Sequence, residues 1–310
     1  MELNVKLISH PYLCLAYGVL GMIFMLPLQA YGAEAIVTST MQTHYDLGHR
    51  LQYIEDKTRK LTFSDVTSPS MKASWQSSQV KTPNFGISAD SAFWFAIPLM
   101  SDDSSITNWL LEIGNPTIDS IELYKFPQSG LMTGKYSQRL DGGNQYPFSQ
   151  RLRQDPHFLF PISLEPEETT WIYLRVKNSN VMKLPLTLWQ EEAYTSQRQV
   201  ELMIQSAYFG MMAIMALYNL FVYFSLRDKS YLYYVLFVVT FSSWVFIEKG
   251  LAFQYIWPTG VWQNSQLYPV MASMAIGMTA LFTNEYLSLK RNHPTYYRIS
   301  SCLSFVWAVI

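Results

Sequence analysis

Residues Leu202 to Leu226 read LMIQSAYFGMMAIMALYNLFVYFSL, a run of 25 positions without a charged side chain. A helix of about 20 apolar residues is long enough to cross the hydrocarbon core of a bilayer. The run therefore predicts a transmembrane helix in the middle of the chain. It divides the sequence into a front half that we expect outside the membrane and a back half that we expect within it.

The back half contains three more apolar stretches, at about 231–247, 267–287 and 299–310. The last one rises only about 18 Å as a helix, while the hydrocarbon core is about 30 Å thick. We therefore read it as the first part of a span that is cut. Residues 191–310 are expected to form the first part of a larger transmembrane bundle, with an output domain beyond residue 310.

Residues 1–35 have the pattern of a secretory signal peptide. Lys6 precedes an apolar stretch at about 11–28, and small residues between Ala30 and Ala35 provide cleavage sites. An uncleaved anchor helix is the alternative. Both interpretations place the residues after Ala35 on the outside of the membrane.

The loops between the predicted spans differ in charge. The loop expected outside carries Lys249 as its one basic residue. The loops expected inside carry several basic residues, namely Arg227, Lys229, Lys290, Arg291 and Arg298. Because Lys and Arg are enriched in cytoplasmic loops, this bias gives the same orientation as the signal peptide does.

The front half, residues 36–190, has the alternating pattern of β-strands. Ile172, Leu174 and Val176 alternate with Trp171, Tyr173 and Arg175, and the stretch 184–189 alternates in the same way. Turn signals at Gly114-Asn115-Pro116 and Asp141-Gly142-Gly143-Asn144 separate such stretches. Many short strands at this spacing predict an antiparallel β-sandwich of the jelly-roll type. Residues 191–206 lack Gly and Pro, so we expect one continuous helix from the sandwich into the first span.

Composition excludes several classes of function. Charged residues make up 15% of the chain and the net charge is −1, so nucleic-acid binding has no electrostatic basis. The spacing of His44 and His49 does not put two ligands on one helix face, and we expect no metal site. We see no catalytic constellation and no cofactor motif, so we expect no enzyme within this chain.

Four residues are candidates for ligand binding. Asp141, Tyr146 and Arg151 lie at a glycine-rich turn, where Gly142-Gly143 allows a ligand close to the backbone. Tyr146 offers a stacking face, Arg151 a planar fork of donors, and Trp75 lies in a polar stretch. The alternative is structural: the glycines make a hairpin turn, Arg151 pairs with a nearby acid, and the aromatics belong to the core.

Several motifs resemble one family, and the most specific are a block at 109–124 and the double tyrosine after Arg227-Asp228. The block reads WLLEIGNPTIDSIELY, and the second motif reads SLRDKSYLYY at 225–234. Looser matches include Tyr45-Asp-Leu-Gly48, Asn84-Phe-Gly86, Pro147-Phe148, Leu188-Trp189 and Ala216-Leu-Tyr-Asn-Leu-Phe221. Together they resemble the bacterial seven-transmembrane receptors with diverse intracellular signalling modules, in their type 2 extracellular domain and the start of their membrane domain.

The resemblance implies a periplasmic jelly-roll sensor of carbohydrate-like ligands above seven membrane helices in a bacterial inner membrane. A cytoplasmic diguanylate cyclase, histidine kinase or phosphatase module follows the helices in such receptors. One departure concerns the turn, where Gly142-Gly143-Asn144 replaces the Gly-Asp that the family often shows before its Pro-Phe. This puts the role of an acid at that position in doubt.

We therefore expect an inner-membrane receptor whose periplasmic domain senses a small ligand or a periplasmic protein. Membrane lipid and a second copy of the chain are further expected partners. One alternative is a membrane-tethered carbohydrate-active or carbohydrate-binding protein; as a hydrolase it needs two carboxylates about 5–9.5 Å apart across a groove. The other is a transporter with an accessory domain, which needs charged groups at matching depths in the bundle.

Overall fold

The computed structural model describes residues 35–39, 41–87, 90–102, 108–127 and 136–309, without the side chains of residues 262, 264, 265 and 302–309. Residues 1–34 of the predicted signal peptide lie outside this range, as do residues 128–135 between two strands. The described residues form a β-rich domain followed by helices.

Seven strands form the larger sheet. They are β1 (Ile36–Thr38), β3 (Gln52–Asp56), β4 (Gln76–Ser77), β6 (Ala92–Ser101), β8 (Ser120–Pro127), β9 (Gln138–Gly142) and β11 (Thr170–Lys177). The order across the sheet is β4-β3-β6-β11-β8-β9, and all of these pairings are antiparallel. The short β1 runs parallel to the end of β6.

A second, four-stranded antiparallel sheet lies against the first. It consists of β2 (His44–Asp46), β7 (Asn108–Ile113), β10 (Phe158–Ser163) and β13 (Leu186–Gln190), in the order β10-β7-β13-β2. A two-stranded ribbon pairs β5 (Asn84–Ile87) with β12 (Val181–Lys183).

The core lies between the two sheets because alternate residues of each strand point inward. In β11, Ile172, Leu174 and Val176 are fully buried, as their spacing predicts. They share one apolar cluster with Leu111 of β7 and Phe160 of β10. The predicted antiparallel sandwich is confirmed, and its jelly-roll type stays a prediction.

Each sheet also has an outer face that is partly covered. On the larger sheet, the short helix α1 (Phe63–Val66) packs its apolar side against strand residues. Thr62 and Asp65 cap this helix reciprocally, which fixes the position of Phe63. On the smaller sheet, Tyr194 of the following helix packs on Leu110 and Leu159.

Six helices follow the sandwich. They are α2 (Glu191–Leu226), α3 (Lys229–Glu248), α4 (Leu251–Tyr255), α5 (Val261–Tyr286), α6 (Leu289–Asn292) and α7 (Pro294–Val309). The continuous helix predicted from the sandwich into the first span is confirmed, because α2 runs unbroken for 36 residues. Among the described residues, α2 and α3 are the two helices long and apolar enough to cross a membrane. The third and fourth predicted spans, about 267–287 and 299–310, overlap α5 and α7 and stay predictions.

The chain between α3 and α5 returns to the sandwich. Gly250 packs so closely on the sandwich that an added Cβ would lie 2.9 Å from the Cβ of Pro116. The backbone N–H of Phe148 donates to the carbonyl of Pro258 over 2.7 Å. The far end of α3 and the start of α5 thus lie on the sandwich side, as the charge-based orientation requires.

Candidate ligand-binding cleft

A cleft of about 780 Å³ opens on the outer face of the seven-stranded sheet. It combines three basic side chains, one carboxylate and four aromatic rings. Its lining residues are Lys60, Leu61, Thr62, Phe63, Ser64, Trp94, Glu122, Tyr124, Tyr136, Arg139 and Arg175. This volume lies within the range of small-molecule sites, about 300–1,000 Å³.

Strand register brings the charged residues together. Arg175 of β11 lies directly opposite Glu122 of β8 on one side and Trp94 of β6 on the other. Tyr124 of β8 lies opposite Arg139 of β9. Directly opposite residues in an antiparallel sheet share a face, so these five side chains project on the outer face together.

The aromatic side chains form one wall of the cleft. Phe63 stacks on Tyr124 with ring centroids 5.0 Å apart, and Tyr136 meets Tyr124 edge-on at 5.1 Å. Beneath them lies Trp94, fully buried, with its ring 5.8 Å from that of Tyr124. The guanidinium of Arg139 lies over the Tyr124 ring at 5.5 Å. Phe63, Tyr124 and Trp94 are buried, whereas Tyr136 is 43% exposed and is the ring of this wall that can stack on a ring-shaped ligand.

Glu122 is the centre of the charge network. Its Oε1 accepts from Nη1 of Arg175 at 3.0 Å, and its Oε2 accepts from the Tyr124 hydroxyl at 2.7 Å. Arg139 lies 3.5 Å from the same Oε2. Burial raises the pKa of Glu122, but these hydrogen bonds and cations outweigh it and bring the pKa below its ordinary value. Glu122 is therefore an ion at neutral pH, with both oxygens engaged.

The same hydrogen bond shifts the tyrosine in the opposite direction. Burial, together with the hydrogen bond to Glu122 and its negative charge, raises the pKa of Tyr124. The phenol thus stays protonated and remains a donor. The cleft offers binding groups in fixed protonation states, which suits recognition of a ligand.

The candidate residue Asp141 lies beside this cleft. It is exposed at the end of β9, and its Oδ1 accepts from Nε of Arg139 at 3.0 Å. Trp75 is half-buried against the same face, edge-on to Tyr173 at 6.0 Å, and its Nε1 donates to the carbonyl of Val66 at 3.3 Å. The structure brings Asp141 near the cleft and makes Trp75 part of the packing around it.

Arg151 is half-buried and is engaged by the protein itself. Its guanidinium donates to Asn144 Oδ1 at 2.8 Å and to the carbonyls of Asp155 and Pro156. It also lies over the rings of Phe148, Phe158 and Phe253 at 4.7, 4.2 and 5.6 Å. Burial lowers the pKa of Arg151 to about 9, so the side chain stays protonated at neutral pH.

The backbone of the turn itself requires glycine at position 143. Gly143 has φ +128°, and an added Cβ would lie 2.2 Å from the carbonyl oxygen of Asp119. The close approach that glycine allows here is to the chain's own backbone. Tyr146, in contrast, is 38% exposed.

Asp141 and Arg151 do share a small depression, together with His157 and Phe158. Its volume of about 20 Å³ holds about one water molecule. Tyr146 and Trp75 do not line it. The four candidates therefore do not form one site among the described residues, and their role in ligand binding stays a prediction.

Sequence reasoning missed most of the cleft, including Glu122, Arg139 and Arg175. The sequence does contain one indication of the cleft. Trp171, Tyr173 and Arg175 occupy the outward positions of β11, whereas a strand face exposed to solvent normally carries small polar residues. Aromatic and charged residues alternating with a buried apolar set indicate a face with a further role. Which strands flank β11 depends on contacts distant in sequence, and periodicity does not give them.

Two models of known protein families match the chain. The model of the extracellular domain described as 7TMR-DISM extracellular 2 matches residues 48–190. The model described as 7TM diverse intracellular signalling matches residues 201–310. The first range covers the sandwich from β3 to β13 with the cleft, and the second covers α3–α7 with most of α2.

The fold and the two matches define a membrane sensory receptor with an extracellular domain and a seven-transmembrane signalling domain. The chain belongs to the seven-transmembrane receptors with diverse intracellular signalling modules. No curated protein matches its sequence. The family resemblance seen in the sequence motifs is thereby confirmed.

Proposed function

We propose that the cleft binds a small extracellular molecule with a ring, such as a carbohydrate, and that binding is passed to the membrane helices. The receptor would lie in a bacterial inner membrane, with the sandwich in the periplasm and an output module on the other side. Glu122 and Asp141 lie opposite each other on neighbouring strands, but both are paired with Arg139, and Glu122 is held as an ion. They are not the carboxyl groups facing each other across a groove that a glycoside hydrolase uses. Sensing fits the cleft better than hydrolysis.

The observation that carries this proposal is the position of β9. This strand places Arg139 in the cleft, and the segment immediately after it, 143–151, packs on the chain between α3 and α5. Within that segment Phe148 meets Phe253 edge-on at 5.7 Å. A ligand that moves Arg139 thus acts on the same short piece of chain that contacts the membrane domain.

A ligand shifts such an equilibrium only by its difference in affinity for the two states. Arg139 supports this requirement, because its guanidinium is shared between Glu122 and Asp141. A ligand that competes for the guanidinium changes the balance between these two partners. The strand end at Asp141 and Gly142 then shifts with it.

The test is a thermal-shift screen of the detergent-solubilised chain against small periplasmic metabolites. Two exposed tyrosines allow a matched comparison: Tyr136 lines the cleft and is 43% exposed, and Tyr146 lies at the glycine-rich turn and is 38% exposed. We expect Tyr136→Ala to weaken the binding of a hit by about 1–2 kcal/mol, the loss of a stacking contact. Tyr146→Ala is expected to bind as the wild type does.

The reverse result would place the ligand at the turn, as the sequence pattern suggested, and would overturn the assignment to the cleft. Both variants change exposed side chains, so the unliganded melting temperatures should stay close to wild type.

A further inference from the structure

We propose that the ligand of the cleft carries a carboxylate, which binds between Arg139 and Lys60. This inference rests on the proposed function, because it presupposes that the cleft is the ligand site. It adds the charge and the hydrogen-bonding character of the ligand.

The first argument is the charge of the lining. Lys60, Arg139 and Arg175 are cations, while Glu122 is the one carboxylate among the described lining residues. Asp141 lies next to Arg139 and adds a second negative charge, so three cations face two carboxylates. The whole chain has a net charge of −1, and the cleft is a local positive region on a near-neutral protein.

The second argument is that the acceptors of Glu122 are used, whereas Lys60 and part of the Arg139 guanidinium stay open. Both oxygens of Glu122 already accept hydrogen bonds. Lys60 is exposed, and its ammonium makes no ion pair with the described residues. The side chain of Arg139 keeps 45% of its surface exposed despite its two partners. A ligand therefore meets free cationic donors, which recognise anionic acceptors best.

The third argument is geometry. The guanidinium of Arg139 lies over the Tyr124 ring, at the edge of the aromatic wall. A ring that stacks on the exposed Tyr136, which meets the same Tyr124 edge-on, brings a carboxylate on its edge towards the guanidinium. Nε and Nη2 of Arg139 face Asp141 and Glu122, so a ligand carboxylate meets Nη1 of Arg139 and the ammonium of Lys60. A carboxylate accepts from both cations more strongly than a neutral hydroxyl does.

Matched acid and neutral pairs test the inference on the full chain in detergent. Titration calorimetry would compare galacturonate with galactose, and benzoate with benzyl alcohol, at concentrations up to millimolar. The first pair has a sugar ring and the second an aromatic ring, so the result also shows which ring is preferred. We expect at least one acid to bind about tenfold more tightly than its neutral partner.

Arg139→Gln should remove that preference, lowering the affinity for the acid about tenfold and leaving the neutral partner unchanged. Lys60→Gln should act in the same direction with a smaller effect. Arg50→Gln is the control, because Arg50 is exposed and does not line the cleft. Added salt should weaken the acid more than the neutral compound.

Three outcomes contradict the inference. If acid and neutral partners bind equally and Tyr136→Ala weakens both, the cleft is still the ligand site but the ligand needs no carboxylate. Failure of every acid to bind also rejects the carboxylate. Acid binding that Arg139→Gln and Tyr136→Ala both leave unchanged would instead reject the cleft, and with it the proposed function.

Discussion

Asp155 of the sandwich and Arg198 of α2 form a nearly buried ion pair, with Oδ2 and Nε 3.0 Å apart and side chains 13% and 10% exposed. Arg198 also donates to Glu201 at 2.9 Å, one turn further along the helix. The first turns of α2 are thus fastened to the sandwich by charge as well as by the packing of Tyr194. The pair joins the sandwich directly to a helix long enough to cross the membrane.

Breaking this pair should destabilise the protein strongly. Arg198→Ala leaves Asp155 buried without its cation, which costs about 3 kcal/mol or more. Arg153→Ala serves as the control, because the Arg153–Glu191 pair near the same junction is much more exposed and contributes below about 1 kcal/mol. Chemical unfolding of the chain in detergent measures both. Equal effects of the two substitutions would contradict the account of the junction.

Two glycines with positive φ should respond differently to alanine. At Gly143 a Cβ would collide with the Asp119 carbonyl at 2.2 Å, whereas at Gly86, with φ +71°, no atom lies within 4 Å. Gly86→Ala should cost about 1 kcal/mol, the conformational penalty alone. Gly143→Ala should cost several times as much, since backbone must also move. Melting temperatures of the two variants provide the comparison.

The chain between α3 and α5 should detach when Phe253 is truncated. Phe253 is 1% exposed and packs on Phe148 and Arg151. Phe253→Ala removes this packing, at a cost of about 3–5 kcal/mol. The amide of Phe148, bonded to the Pro258 carbonyl, should then exchange its hydrogen faster by mass spectrometry. Phe221→Ala, at a position 71% exposed on α2, should leave that exchange unchanged.

Acid should weaken the sandwich through Glu122. Its folded-state pKa lies below the ordinary 4.5, since its hydrogen bonds and neighbouring cations outweigh the opposing effect of burial. The ionised group therefore stabilises the fold above about pH 4.5, and this contribution is lost as the pH falls through the lowered pKa. Glu122→Gln should melt below wild type at neutral pH and approach it in acid. A constant difference across the whole pH range would contradict this assignment.

The orientation can be checked with alkaline phosphatase fusions in a bacterial host. Fusions after Gln190 and within 257–264 should be active, because both points lie on the exported side of the predicted topology. A fusion after Arg291 should be inactive, since the positive-inside rule places this basic loop in the cytoplasm. Activity after Arg291 would reverse the orientation and put the cleft on the wrong side for an external ligand.

The local periodicity of the sequence predicts the main strands and helices, but it does not predict the cleft. The period of two in β11 arises because one face of the strand is buried, and the uncharged run in α2 is as long as a bilayer core is thick. Both features are local, so the sequence alone predicts them. The cleft depends on β6, β8 and β11 becoming neighbours, which is a long-range result. The surroundings of Arg151 could not be predicted for the same reason, because one of the rings that pack on it, Phe253, comes from the chain between α3 and α5.

The environment of Arg151 sets an order on biosynthesis. Phe148 and Phe158 are made with the sandwich, while Phe253 is translated only after α2 and α3. Until Phe253 is made, Arg151 lacks one of its three aromatic neighbours. In the proposed topology, this last contact would form only once α2 and α3 are inserted and the chain has returned to the sandwich side. Completion of the sensor domain would then depend on insertion of the membrane domain.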